Sequence, residues 1–167
     1  TWPILETVQV DGMCDEVLLP SSLPEDLDPA AREIAEAIAD MTASVGVLAV
    51  ELFLVDGRLL VNEIAPRVHN SGHLTIEGTA TSQFEQHLRA ILDWPLGPTG
   101  PTAPVAVMAN VVGGPGGDPR DRQGAALSAV PGAHLHLYGK QSRPARKIGH
   151  VTVLGDDLTR TRAAANL

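Results

Sequence analysis

Two acidic residues sit inside apolar β-type runs joined by a tight-turn dipeptide, and they restrict the fold more than any other feature of the chain. The first run is Val45-Gly46-Val47-Leu48-Ala49-Val50-Glu51-Leu52-Phe53-Leu54-Val55 and the second is Leu59-Leu60-Val61-Asn62-Glu63-Ile64-Ala65. Asp56-Gly57 between them is a hairpin signal, so residues 47–55 and 58–65 are predicted to pair antiparallel. Burying acids in such runs is costly unless they are paired or hold a metal. Register decides which. A two-residue Asp56-Gly57 turn pairs Glu51 with Asn62 and sends Glu63 to the other face. A three-residue loop, Asp56-Gly57-Arg58, sets Glu51 opposite Glu63. Opposed carboxylates repel; a divalent cation between them removes the repulsion, and such hard oxygen ligands suit magnesium holding substrate phosphates. Two solvated glutamates at a strand rim fit the pattern equally well.

The rest of the chain reads as α+β. Residues 3–10 and 14–19 flank Asp11-Gly12 in a second hairpin pattern, followed by a loop from Pro20 to Asp26. Asp28-Pro29 is predicted to open a helix with Asp28 as N-cap, Ile34, Ile38 and Met41 as its apolar stripe, and Gly46 past its end. Residues 81–93 are predicted as a second helix. Ser82 and Glu85 have capping-box spacing there, and Phe84, Leu88, Ile91 and Leu92 form the apolar face. Pro95, Pro98, Pro101 and Pro104 mark residues 95–104 as the best boundary, dividing the chain into 1–97 and 98–167. Strands are predicted at 105–112, 133–138 and 147–154, loops at 113–119 and 139–146, and a helix from near Asp156 or Asp157.

Aromatic residues are 3% of the 167 and apolar residues 44%, so the core must come from Val, Leu, Ile and Ala. The net charge of -8 opposes broad nucleic-acid or anionic-membrane binding but leaves room for a local phosphate site. The single cysteine, Cys14, excludes an internal disulfide and a Cys-based zinc site. No run approaches the ~18 apolar residues of a membrane helix. The N-terminus, Thr1-Trp2-Pro3-Ile4-Leu5-Glu6, has neither a signal-peptide shape nor an initiator Met. A cytoplasmic protein, represented by a piece of a longer chain, is the expectation.

Asn62 to His73 packs seven polar or ionisable side chains into twelve residues directly after the acid-bearing strand. Arg67 suits stabilisation of a phosphoryl group or carboxylate. His69, Asn70, Ser71 and His73 suit an anionic or hydroxylated substrate, although Asn70-Ser71-Gly72 also reads as a simple turn. His69 and His73 have the i, i+4 spacing of a zinc pair, but Gly72 argues against the helix that pair needs. Lys140, Arg143, Arg146 and Lys147 gather both lysines of the chain within eight residues. They make either a phosphate site or an exposed basic loop. Gly113-Gly114-Pro115-Gly116-Gly117 lacks the Gly-Lys-Ser/Thr ending of a phosphate loop and reads as a surface turn.

These stretches, with Ser82-Gln83-Phe84-Glu85-Gln86-His87-Leu88-Arg89-Ala90 and the run from His134 to His150, resemble 5-(carboxyamino)imidazole ribonucleotide synthase, an ATP-grasp ligase of de novo purine synthesis. The resemblance runs from Pro3 to about Leu154. It implies an α+β fold: the C-terminal part of the large ATP-grasp lobe, antiparallel sheet with helices, over 1–97, then a small mostly-β C-terminal domain over 98–167. It implies ATP and Mg2+ as cofactors, and 5-aminoimidazole ribonucleotide and bicarbonate as substrates, with no nucleic acid or membrane partner. Glu51 and Glu63 match the family's metal-holding acids, and Asn62 and Glu63 the stretch nearest the nucleotide. Gln9 stands where relatives often carry a nucleotide-side His. Arg67 matches the arginine near bicarbonate or carboxyphosphate. His69, Asn70 and Ser71 match the loop lining the acyl-phosphate and the aminoimidazole. Lys140 and Arg146 match the pair that binds the ribonucleotide 5′-phosphate. Ala65 stands where many ATP-grasp enzymes carry an Asn, so the implied ligand set is smaller. The family's N-terminal domain and ATP lid are not recognisable, which implies a piece inactive alone; family members are often homodimers. The alternatives are another ATP-grasp ligase, such as a formate-dependent glycinamide ribonucleotide transformylase, and a non-catalytic ribonucleotide-binding module.

Overall fold

Both Asp-Gly dipeptides form two-residue turns with positive φ at each position, 50° and 75° at Asp11-Gly12 and 49° and 74° at Asp56-Gly57. That backbone matches the right-handed twist of the flanking strands. The computed structural model describes residues 1–114 and 118–166; Pro115, Gly116 and Gly117 of the predicted 113–119 loop lie outside the described residues. The first turn joins β1 (Glu6–Val10) to β2 (Met13–Leu19), and the second joins β3 (Ala49–Val55) to β4 (Arg58–Ala65), with α1 (Asp28–Thr42) between the hairpins. A 3₁₀ turn at Ser71–Leu74 leads into α2 (Thr75–Gly78) and α3 (Gln83–Ile91). Then follow β5 (Val105–Val112), α4 (Gln123–Ala129), β6 (His134–Leu137), β7 (Lys147–Gly155) and α5 (Leu158–Ala165). Among the described residues no helix is long and apolar enough to cross a membrane.

Strand pairing crosses the proline-rich run. Five strands form one antiparallel sheet in the order β1-β2-β5-β7-β6. β2 pairs with β5 from Glu16 opposite Ala109 to Leu19 opposite Ala106. The segment after residue 98 therefore shares its sheet with the first hairpin, while β3 and β4 form a two-stranded sheet of their own.

β5 shows what holds the larger sheet. Val105, Val107 and Ala109 cluster with Leu18, Val153 and Ala165, whereas Ala106 and Met108 cluster with Val17, Leu19 and Leu74. Both faces are covered, so Val105 to Ala109 read as an unbroken apolar run without alternation. Each fully buried aliphatic side chain contributes about 1.5–3 kcal/mol. α5 closes one face. The Asp157 side chain caps it by accepting from the Arg160 backbone N–H at 2.8 Å. Buried Glu16 accepts from Arg162 Nε at 2.7 Å and from the Asn166 amide.

All three predicted helices form, the first two with local differences. α1 begins at Asp28 itself, with Leu27 at the N-cap, so Asp28 instead accepts from Arg32 Nε at 2.6 Å. It ends at left-handed Ala43, ahead of Gly46, and Met41 is exposed. α3 is capped by Ser82 as predicted, its hydroxyl accepting from Glu85 N at 3.2 Å. Its apolar face, however, points outward: Phe84, Leu88, Ile91 and Leu92 are exposed, while Gln83 and Gln86 are buried. Gln86 satisfies both ends of its amide on Gly97, donating at 2.8 Å and accepting at 2.9 Å. Helix α4 occupies a stretch for which the sequence pattern predicts no element.

Candidate active site

Glu51 and Glu63 are direct cross-strand partners. The turn is not what aligns them. Val55 pairs with Arg58 across a two-residue turn, and the register holds through Leu52 opposite Val61. A β-bulge then admits Asn62 as an extra residue, and Glu51 meets Glu63. Of the two alternatives, the opposition of Glu51 and Glu63 is present, but a two-residue turn followed by a bulge produces it and not a three-residue loop. The bulge also aims Asn62, whose Nδ2 donates to Glu51 Oε2 at 3.3 Å.

His69 spans the two acids, with Nδ1 3.7 Å from Glu51 Oε1 and Nε2 3.8 Å from Glu63 Oε1. The Ser71 hydroxyl lies 2.9 Å from His69 Nδ1. The loop is held from beneath by Gln83, which is 2% exposed. Its Oε1 accepts from His69 N at 2.8 Å, and its Nε2 donates to His69 O at 2.7 Å and lies 2.8 Å from His73 Nδ1. Gly72 permits this approach, since a Cβ there would lie 2.4 Å from Gln83 Oε1. His73 therefore faces Gln83 while His69 faces the acids, and the two make no zinc pair. Burial and the neighbouring His69 lower the His73 pKa to about 4.

Asn70 turns the other way. Its amide exchanges two 3.0 Å hydrogen bonds with the amide of Asn110 on β5, and its Oδ1 accepts from Lys147 Nζ at 3.0 Å. This joins the loop to the basic run. Arg67 is exposed, with Nη1 donating to Val68 O at 3.0 Å. Gln9, also exposed, pairs with Cys14 next to a bulge at which β2 carries Asp15 as the extra residue. A cleft of about 740 Å³ has Gln9, Glu51, Asn62, His69 and Ser71 on its wall; Glu63, Arg67, Asn70, Lys140 and Arg146 are not among its lining.

Lys140 and Arg146 share the exposed loop between β6 and β7. Lys140 Nζ lies 5.2 Å from the centroid of the Tyr138 ring. Arg146 is fixed through its backbone, its carbonyl accepting from Gly113 N at 2.9 Å. A Cβ on Gly113 would lie 2.4 Å from Arg143 O, so this glycine serves close backbone packing. Cys14 is half-buried, its thiol 3.5 Å from Glu16 O, and burial raises its pKa. Gln83 and Asn110 position the loop but were not singled out from the sequence, and Lys147, named there as part of the basic run, holds Asn70 instead. Asn110 had left a signal, a lone amide within Val105–Val112.

The family model for the ATP-grasp domain matches residues 1–84, half of the chain. The chain belongs to the ATP-grasp family. Residues 106–164 match a second model, the phosphoribosylaminoimidazole carboxylase C-terminal domain. The N5-carboxyaminoimidazole ribonucleotide synthase of Mycobacterium tuberculosis is 52% identical over 171 residues, covering 99% of this chain and 40% of that protein. The crystal structure of N5-carboxyaminoimidazole ribonucleotide synthetase from Thermus thermophilus superposes with a TM-score of 0.86 at 43% identity, over 98% of this chain and 44% of that one. The Aspergillus clavatus N5-carboxyaminoimidazole synthase, in complex with ADP and 5-aminoimidazole ribonucleotide, superposes with a TM-score of 0.85 at 38% identity, over 98% and 45%. The fold is the α+β ATP-grasp architecture of these structures, and the chain spans about two fifths of the length of such relatives.

Proposed function

We propose that this chain supplies the metal-holding and ribonucleotide-holding parts of an N5-carboxyaminoimidazole ribonucleotide synthase. Residues 1–97 act as the C-terminal part of the ATP-grasp domain and 98–167 as the C-terminal domain. In the reaction, a bicarbonate oxygen attacks the γ-phosphorus of ATP, the bond to the β-phosphate oxygen breaks, and ADP leaves. The exocyclic amine of 5-aminoimidazole ribonucleotide then attacks the carbonyl carbon of carboxyphosphate. Phosphate departs and the amine loses a proton.

The observation that carries this reading is the opposition of Glu51 and Glu63 under His69. Two carboxylates, with the remaining positions filled by phosphate oxygens and water, are what Mg2+ accepts. Glu51 and Glu63 would hold the ion, which when bound would offset the charge of the β/γ-phosphates. Asn62 orients Glu51, and Gln9 lines the nucleotide side of the cleft. Arg67, His69 and Ser71 stabilise the anionic acyl-phosphate. Asn70, anchored by Asn110 and Lys147, presents the loop to the aminoimidazole. Lys140 and Arg146 take the 5′-phosphate, with the Arg offering a bidentate fork.

The test is phosphate release from magnesium-ATP by the full-length protein at fixed bicarbonate, with and without 5-aminoimidazole ribonucleotide. Strong stimulation is expected. Release without stimulation would move the reading to another ATP-grasp ligase, and no release would favour a non-catalytic ribonucleotide-binding module.

A further inference from the structure

A second polar cluster lies on the five-stranded sheet, whereas the glutamate pair belongs to the β3–β4 sheet. His136 on β6 is opposite His150 on β7, which is opposite Asn110 on β5. Glu77 of α2 covers the β6 end of this row, with its Oε1 2.7 Å from His136 Nε2. Glu77, His136 and His150 each place a potential ligand atom within 4.8 Å of those of the other two. Two atoms of the group, Glu77 Oε2 and His150 Nε2, are buried with no hydrogen-bond partner. His150 is 1% exposed. Orphan polar atoms of this kind are costly to keep. The other nitrogen of His150 is engaged, since the Tyr138 hydroxyl lies 2.7 Å from Nδ1.

We propose that Glu77, His136 and His150 bind a transition-metal cation, Zn2+ being the best chemical fit, at a site separate from Glu51 and Glu63. Two imidazoles and one carboxylate are a ligand set that zinc accepts, with water in the fourth position. The nitrogen donors disfavour Mg2+. One ion satisfies both orphan atoms together. Tyr138 supplies the outer support that a ligating imidazole needs, fixing its tautomer and ring through the nitrogen that faces away from the ion. The imidazoles stack at 4.5 Å and 19°, so closing on an ion tilts the more exposed His136 ring out of the stack. The ion ties α2 to both strands flanking the 139–146 loop, and so fixes the base of the loop that carries Lys140 and Arg146.

The test uses the full-length protein, stripped with a chelator, dialysed and titrated with zinc chloride alone by calorimetry. Co2+ replaces zinc in a parallel sample to report tetrahedral nitrogen and oxygen ligation by its visible spectrum. One equivalent is expected to bind. Glu77→Gln and Tyr138→Phe, both close in shape to the native residues and each checked by circular dichroism, are expected to weaken binding about 10–100-fold. Tyr138→Phe leaves all three ligands in place, so its effect separates an organised site from chance binding by surface histidines. No stoichiometric uptake by the native protein, or uptake unchanged in both variants, would overturn the proposal.

Discussion

The β5-centred sheet and the β3–β4 hairpin are built from comparably apolar strands, yet they use them in opposite ways. In the sheet, Val105 to Ala109 are buried on both faces. In the hairpin, Phe53, Leu54, Val55, Leu60, Val61 and Ile64 are exposed, between 43% and 52%. The sheet is held by packing from within the chain. The hairpin is held by its own ladder, and its loop by Gln83. Burial is thus concentrated in one region: the sheet supplies the packed base, and the hairpin carries Glu51 and Glu63 on exposed strands.

The largest effect is expected at the acids. Glu63→Gln should lower ATP-dependent turnover about 10²–10³-fold, as removal of a charge-stabilising group typically does. Its side chain is half exposed, so the melting temperature should hold; unchanged turnover would remove the metal assignment. Met108→Ala, at a fully buried position, should cost about 3 kcal/mol in denaturant unfolding. Arg162→Ala strips the charged partner from buried Glu16 and should cost about 2 kcal/mol. Leu60→Ser, on the exposed hairpin face, should change stability by no more than about 0.5 kcal/mol in this chain. A much larger loss in the full-length protein would show that a part outside these residues covers that face.

Acid sharpens the same contrast. Unfolding restores the His73 pKa from about 4 to the ordinary 6.5. The unfolded chain therefore binds more protons between those values, and stability should fall as pH drops from 6.5 towards 4. His73→Asn should lessen that decline in a pH series of unfolding curves, the remainder coming from His150, whose pKa burial lowers to about 3, while the hairpin variants should leave its shape unchanged.

Much of this was legible in the sequence, for identifiable reasons. Asp-Gly turns, β-branched runs and the Ser82 cap are local signals, and each produced the element it announces. The opposition of Glu51 and Glu63 was legible only as two alternatives, because a bulge is set by tertiary demand and Asn62 carries no local mark of one. The outward face of α3 was misread, since amphipathicity normally reports the buried side. Here two glutamines bridge to backbone groups distant in sequence and override it. The reach of Asn70 to Asn110 and Lys147 spans 40 and 77 residues, beyond any spacing rule.

We propose above all that Glu51 and Glu63 would jointly hold the cation that offsets the charge of the ATP phosphates. The most direct measurement is the magnesium concentration for half-maximal turnover, at saturating ATP, in the full-length protein and in Glu51→Gln and Glu63→Gln. The account predicts a rise of about tenfold or more in each variant, with the double variant no worse than the poorer single one because the pair acts as a unit. A lowered rate at an unchanged magnesium requirement in both would contradict it.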